Sequence, residues 1–267
     1  MVKRYIVSGL WVLILLFVQP SEASFIAITT ETAVKIEDNT AKILVGVTNK
    51  GDESAYNVKI SAAIGGKIIA GPLIDLLKVN DKYSETLTAS VDFKKPGTYP
   101  VILAVEYTDA NRYPFTASSV VYLNYKEGVV SRVAGEIAAI SIADSGRMKV
   151  KIKNLEQAEE KIAIHLIAAK EFLIPTPEKQ ITLKPGLEET VVFDIKNLSA
   201  LTGSNYPVYA ILGYEDEKYH YVNVLAGNIK VEEKKTFVAE YKWPMVVVAI
   251  ILVGLIGYLN LRRKQDP

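Results

Sequence analysis

Two histidines, His165 and His220, are the only imidazoles in a chain of 267 residues that has no cysteine. A serine nucleophile needs a histidine base held by an acid. His165 lies in the apolar run Ile162-Ala163-Ile164-His165-Leu166-Ile167, and no Gly-x-Ser-x-Gly elbow accompanies it. It reads as a strand-face or sheet-edge residue. His220 sits in Tyr219-His220-Tyr221, just after Glu215-Asp216-Glu217-Lys218. Those acids could pair with it or with a metal, but two separated histidines without cysteine fall short of an ordinary zinc ligand set. Lack of cysteine also removes thiol nucleophiles, disulfides and cysteine-held iron–sulfur clusters.

Paired carboxylates can hydrolyse glycosides when they face each other across a bond. Glu215, Asp216 and Glu217 are adjacent at a hairpin tip, where successive side chains diverge, so a solvated turn is expected. Calcium is the better rival, because hard cations accept turn carboxylates and carbonyls. Asp109 with Asn111, and Asp216 with Glu215, are the candidates, though no EF-hand spacing is present. Gly65-Gly66 lacks the Lys-Ser/Thr and helix of a phosphate loop. Asn197-Leu198-Ser199 is a glycosylation sequon, with meaning only where exported proteins are glycosylated. The expectation is therefore no catalytic residue, no cofactor-binding residue and no metal ligand. Of fifteen tyrosines, five crowd into residues 206–221. Exposed tyrosine is a rigid contact surface with an apolar ring and a polar tip. Tyr219 and Tyr221, on one strand face, and Tyr214 form the one possible binding face; alternatively they pack against neighbouring strands.

The elements that must hold these residues are strands. Met148-Lys149-Val150-Lys151-Ile152-Lys153-Asn154 alternates apolar and basic residues, the mark of a half-buried antiparallel strand. Thr190–Lys196 repeats the pattern, and Val101, Leu103, Val105 and Tyr107 alternate with Ile102, Ala104 and Glu106. Turn clusters such as Asn49-Lys50-Gly51-Asp52, Lys95-Pro96-Gly97 and Lys184-Pro185-Gly186 separate the strands. No helical pattern long enough for a parallel crossover appears. The fold class expected is all-β, two tandem immunoglobulin-like β-sandwiches, with one C-terminal transmembrane helix.

An internal repeat supports the pair. Tyr99-Pro100-Val101 matches Tyr206-Pro207-Val208, Tyr107 and Asp109 match Tyr214 and Asp216, Glu85-Thr86 matches Glu189-Thr190, and Asn49 matches Asn154. Matches in one order at nearly one shift point to duplication.

The ends are different. Lys3 and Arg4 precede an uncharged run from Tyr5 to Val18, then Pro20 and Ser21-Glu22-Ala23, the order of a secretory signal cleaved after Ala23. An uncleaved anchor is the alternative. Trp243 to Leu261 carries no charge and, as a helix, would span about 28 Å, close to the hydrocarbon thickness. Trp243 and Tyr258 suit the two interfaces, and Arg262, Arg263 and Lys264 place the C-terminus in the cytoplasm. Gly254 and Gly257 allow a helix partner but not at the Gly-x-x-x-Gly spacing. The expected organisation is a signal peptide at 1–23, a first sandwich at 25–126, a second at 129–232, a stalk at 233–242, a transmembrane helix at 243–261 and a tail at 262–267.

The strand ending Val47-Thr48-Asn49-Lys50-Gly51, followed by Ala55-Tyr56-Asn57-Val58-Lys59-Ile60, resembles the strand pair of CARDB-type immunoglobulin-like modules. So does Pro96-Gly97-Thr98-Tyr99-Pro100-Val101 leading to a Tyr-x-Asp hairpin. The second copy departs from it, since Asn154-Leu155-Glu156 lacks the glycine and Ala158-Glu159-Glu160 lacks Asn-Val. Such modules are common in S-layer-related and other surface proteins, as adhesive, spacer or accessory domains. Together with the two ends, the resemblance implies a non-enzymatic, single-pass cell-membrane protein, its sandwiches extracellular or periplasmic, acting as an envelope spacer or protein-interaction module. An accessory subunit of a transport or export complex and a surface carbohydrate-binding module are the alternatives. The expected partners are the lipid bilayer and an envelope or membrane protein. A net charge of +1 gives no footprint for nucleic acid.

Overall fold

The computed structural model describes residues 25–234, together with Pro244, Val247, Val248, Ile251 and Leu252, which are helical. The expected signal peptide, the remainder of the expected 243–261 span with Trp243 and Tyr258, and Arg262, Arg263 and Lys264 lie outside the described residues. Among those described, no helix is long and apolar enough to cross a membrane.

The described chain is all-β. Its strands are β1 (Ile28–Glu37), β2 (Thr40–Asn49), β3 (Ala55–Ile64), β4 (Lys67–Leu77), β5 (Lys82–Ser90), β6 (Gly97–Thr108) and β7 (Pro114–Tyr125). There follow β8 (Val133–Ile137), β9 (Ile140–Ile142), β10 (Ser145–Asn154), β11 (Glu160–Ile167), β12 (Phe172–Leu173), β13 (Glu178–Leu183), β14 (Glu188–Asn197), β15 (Asn205–Glu215) and β16 (His220–Val231). The chain divides into two compact units. Within the described residues the first takes 25–93 and 101–123, and the second takes 94–100 and 124–234. The division is not the single cut between 126 and 129 expected from the sequence. Residues 94–100 go with the second unit because the Thr98 hydroxyl bonds Val129 O at 2.8 Å and Gly97 pairs with His220.

In the first unit β1-β2-β5 form one sheet, and β4-β3-β6, with β7 on β6, form the other. In the second, β12-β14-β10-β8 form one sheet and β13-β11-β15-β16 the other, with β9 parallel to β16. First, second and fifth strands on one side, with third, fourth, sixth and seventh on the other, is immunoglobulin-like sandwich topology. Alternation makes the cores. Ile43, Val45, Ile60, Val101 and Leu103 are buried between the first pair of sheets, and Met148, Val150, Ile152, Ile164, Phe193 and Leu212 between the second. Each such side chain contributes about 1.5–3 kcal/mol on leaving water. With no cysteine these cores stand without disulfides.

The repeated motifs turn out to be repeated devices. Asn49 and Asn154 are both fully buried, at the ends of β2 and of β10. Asn49 Nδ2 donates to Glu53 O and Leu77 O, and its Oδ1 accepts from Gly51 N–H. Asn154 Nδ2 donates to Ala158 O and Leu183 O, and its Oδ1 accepts from Glu156 N–H. The Asn49 and Asn154 carbonyls accept from Asn80 and Gly186, which share a left-handed conformation at φ 64° and 75°. Buried amides used so completely are a requirement of the corner, not an accident.

Tyr99 and Tyr206 stand at the start of β6 and of β15, and each closes the chain just before it. The Tyr99 hydroxyl donates to Lys95 O at 2.8 Å, and the Tyr206 hydroxyl accepts from Leu201 N–H at 3.0 Å. Both are tyrosine corners, a signature of this sandwich. The following Pro100 and Pro207 lack a donor, yet pairing with β3 begins at Ile102 and with β11 at Tyr209. Each proline therefore precedes the two-sided part of its ladder, where strand proline is tolerated.

Candidate functional site

The expected binding face lies where β15 turns into β16. Tyr214 pairs with Tyr221 across the ladder. Their rings stack at 4.9 Å with an interplanar angle of 9°, and Tyr219 meets Tyr221 edge-on at 6.3 Å. The three tyrosines named from the sequence do come together. Tyr214, however, is 4% exposed and belongs to the core, so only Tyr219 and Tyr221 are half-exposed.

Their hydroxyls have fixed partners. Tyr214 donates to Glu156 Oε1 at 2.8 Å and accepts from Arg132 N–H at 3.1 Å. Tyr221 donates to Asp216 Oδ2 at 2.9 Å, and Tyr219 to Glu127 Oε2 at 3.0 Å. Burial pushes the Tyr214 phenol up to about 12; the Ser131 hydroxyl and Arg132 N–H oppose this and the Glu156 carboxylate adds to it. Burial, then the Asp216 carboxylate, carries Tyr221 to about 12 as well. Neither phenol is poised to give up a proton near neutrality.

Asp216 caps the turn. Its Oδ1 accepts from Lys218 N–H at 2.7 Å and Tyr219 N–H at 2.6 Å. Burial alone would raise its pKa. The two N–H donors, the Tyr221 hydroxyl and the Lys95 charge outweigh burial and hold it below the usual carboxylate range. Glu215 pairs with Lys95 at 2.9 Å, and Glu217 points to solvent at the tip. Glu160 is shifted the other way, upward, by burial first and then by the charges of Glu156 and Asp216.

The first unit builds the same hairpin. Tyr107 stacks on Phe115 at 5.5 Å and 22°, where the second unit has Tyr214 on Tyr221. Asp109 Oδ1 accepts from Tyr113 N–H at 2.7 Å, where the second has Asp216. An aromatic pair beneath an aspartate-capped turn is thus a structural element of each unit. Both calcium candidates, Asp109 with Asn111 and Asp216 with Glu215, contain the capping aspartate. Among the described residues no three His, Asp or Glu side chains converge in a way that could hold a metal ion.

What the second hairpin adds is attachment to residues 95–99 and 127, all within its own unit. His220 stacks flat on Tyr99, 4.1 Å and 3°, and its Nδ1–H donates to Thr98 O at 2.7 Å. His220 N–H donates to Pro96 O, and Lys95 Nζ donates to Asp216 O. Gly97 has φ 142°, and a Cβ there would lie 2.1 Å from His220 O, so only glycine fits. Glu127, Lys95 and Tyr99 were not singled out as site residues by sequence. Glu127 and Tyr219 are 92 positions apart, and no local spacing signals their meeting.

The other histidine stays apart. His165 lies on β11 with Nδ1 4.0 Å from Glu178 Oε1. Burial lowers its pKa and Glu178 partly opposes. The sequon residue Asn197 closes a loop: Nδ2 donates to Ala143 O and Ala200 O, while Oδ1 accepts from Ala200 N–H.

No family model matches this chain, and no curated protein matches it at a significant level. Solved structures give distant likenesses. Native alpha-2-macroglobulin of Escherichia coli, spanning domain MG7 to the C-terminus, is 16% identical, over 39% of this chain and 17% of that one, with a TM-score of 0.34. The native conformation of the E. coli protein is 13% identical, over 77% of this chain and 17% of that one, at 0.31. Red sea bream transglutaminase is 12% identical, over 80% and 32%, at 0.28. The chain spans less than a third of the length of each, and likeness at these scores carries no argument about activity.

Proposed function

We propose that the chain is a non-catalytic, membrane-anchored protein of the cell envelope, its β-sandwich units serving as a spacer or protein-interaction module of CARDB type. The observation that carries this reading is the uncharged stretch 243–261 followed at once by Arg262, Arg263 and Lys264, downstream of two compact all-β units. Such a stretch is long enough to span a bilayer, and its basic flank stays in the cytoplasm. The residues with chemical potential support the non-catalytic part. Asp216, Tyr214, Tyr221 and His220 are held in the bonds that make a hairpin, and the tyrosine phenols are shifted away from neutral proton transfer.

The test compares the full chain with a chain ending at residue 242, both expressed with the leader intact. Alkaline carbonate washing of membranes should leave the full chain in the pellet and find the truncated one in the soluble exported fraction. A full chain released by carbonate contradicts the proposal.

A further inference from the structure

The outer face of the β4-β3-β6-β7 sheet in the first unit is unusually apolar. Residues paired across a ladder share a face. Ala63 pairs with Ile68, Ser61 with Ala70, Lys59 with Leu73 and Tyr56 with Leu76. The same β3 residues pair with Ile102, Ala104, Glu106 and Thr108 of β6. The alternate residues Val58, Ile60, Ala62 and Ile64 are buried, so the first set points outward. Ile68 is 80% exposed, Leu73 57%, Leu76 40% and Tyr56 36%. On β7, Leu123 is buried and its neighbour Tyr122 is 49% exposed on the outer side. The fold does not require this. On the matching strand of the second unit, the outward positions are Glu178, Gln180 and Thr182.

We infer that this face is the contact between two copies of the chain, related by a two-fold axis that runs along the strands between β3 and β6. The charges argue for a second copy. Lys59 of β3 and Glu106 of β6 lie side by side in an otherwise nearly uncharged face. Such an axis exchanges the β3 and β6 positions, so each Lys59 meets the other copy's Glu106. The same operation sets β4, with Ile68, Leu73 and Leu76, over β7 of the other copy. An isologous contact needs this self-complementarity. Area agrees. The exposed side chains offer on the order of 500 Å² per copy, and the pair would bury about 1,000 Å², the lower limit for a specific contact. Pairing through the open edge of β4 is disfavoured, because Pro72 and the register break opposite Lys59–Ser61 interrupt that edge. The inference does not rest on the membrane reading.

The full chain in detergent micelles, at about 10 µM, is the sample, since contacts of this size associate in the micromolar range. Sedimentation velocity should show a dimer. Leu73→Asp and Lys59→Glu should each weaken it at least tenfold without changing the far-ultraviolet circular dichroism. Combining Lys59→Glu with Glu106→Lys should restore it. Gly254→Leu, in the hydrophobic segment, should leave it intact. A monomeric wild-type chain overturns the inference, and so does a dimer that survives Leu73→Asp and Lys59→Glu but is lost with Gly254→Leu.

Discussion

Asn154 and Asn49 are fully buried, and each satisfies three backbone groups. Asn154→Ala should cost about 2–4 kcal/mol, because it leaves buried carbonyls and an N–H unpaired. Urea unfolding of the full chain in micelles measures the change, and Asn49→Ala should behave alike. Tyr221 gives the opposite case. Phe115 occupies its place in the first unit, so Tyr221→Phe should lose less than about 1 kcal/mol, while Tyr221→Ala, which removes the ring beside Tyr214, should lose about 3 kcal/mol. Two carboxyl groups titrate in opposite senses. Asp216 has a depressed folded pKa, so its contribution is present above the ordinary carboxylate range and is lost as pH falls through the folded value. Glu160 has a raised one, so its stability is present below the ordinary range and is lost as pH rises through the folded value. Glu160→Gln should therefore stabilise at neutral pH and make no difference in acid, and urea midpoints at the two pH values check the sign. An equal effect at both would show that the charge is not the cause.

At the scale of the element, the strands were legible because one face of each is wet. Met148–Asn154 alternates strictly and Thr190–Lys196 does so but for Val192, and both fall within observed strands, Ser145–Asn154 and Glu188–Asn197. The Tyr-Pro-Val and Asn matches were legible as a repeat, but their meaning as tyrosine corners and buried amide clamps needed coordinates. What each amide holds lies about 30 positions downstream, as with Leu77 and Leu183. The tyrosine cluster was legible too, since pairing places Tyr214 opposite Tyr221. Its division into a buried ring and two half-exposed ones was not, because alternation alone does not say which face of β15 is covered. The attachment of the β15–β16 hairpin to Lys95, Thr98 and Glu127 was invisible, for it joins segments about 90–120 positions apart. Gly97→Ala tests that attachment. Its new methyl would overlap the His220 carbonyl and its φ is left-handed, so a loss above about 3 kcal/mol is expected. Tyr219→Phe removes only an exposed hydroxyl and should shift the urea midpoint little.

At the scale of the whole molecule, the two units share one set of corners while differing on their surfaces. The second has polar residues along β13 where the first has Ile68, Leu73 and Leu76 on β4. The absence of cysteine means that both units rely on packing and buried amides, so reducing agent should leave the unfolding transition unchanged. The proposed function sets a direction in which the chain would cross a membrane. Protease added to intact cells or spheroplasts carrying a tag after Pro267 measures this. The proposal predicts that residues 24–242 are digested while the tag stays protected with its hydrophobic segment. Protection of 24–242 together with loss of the tag would contradict it.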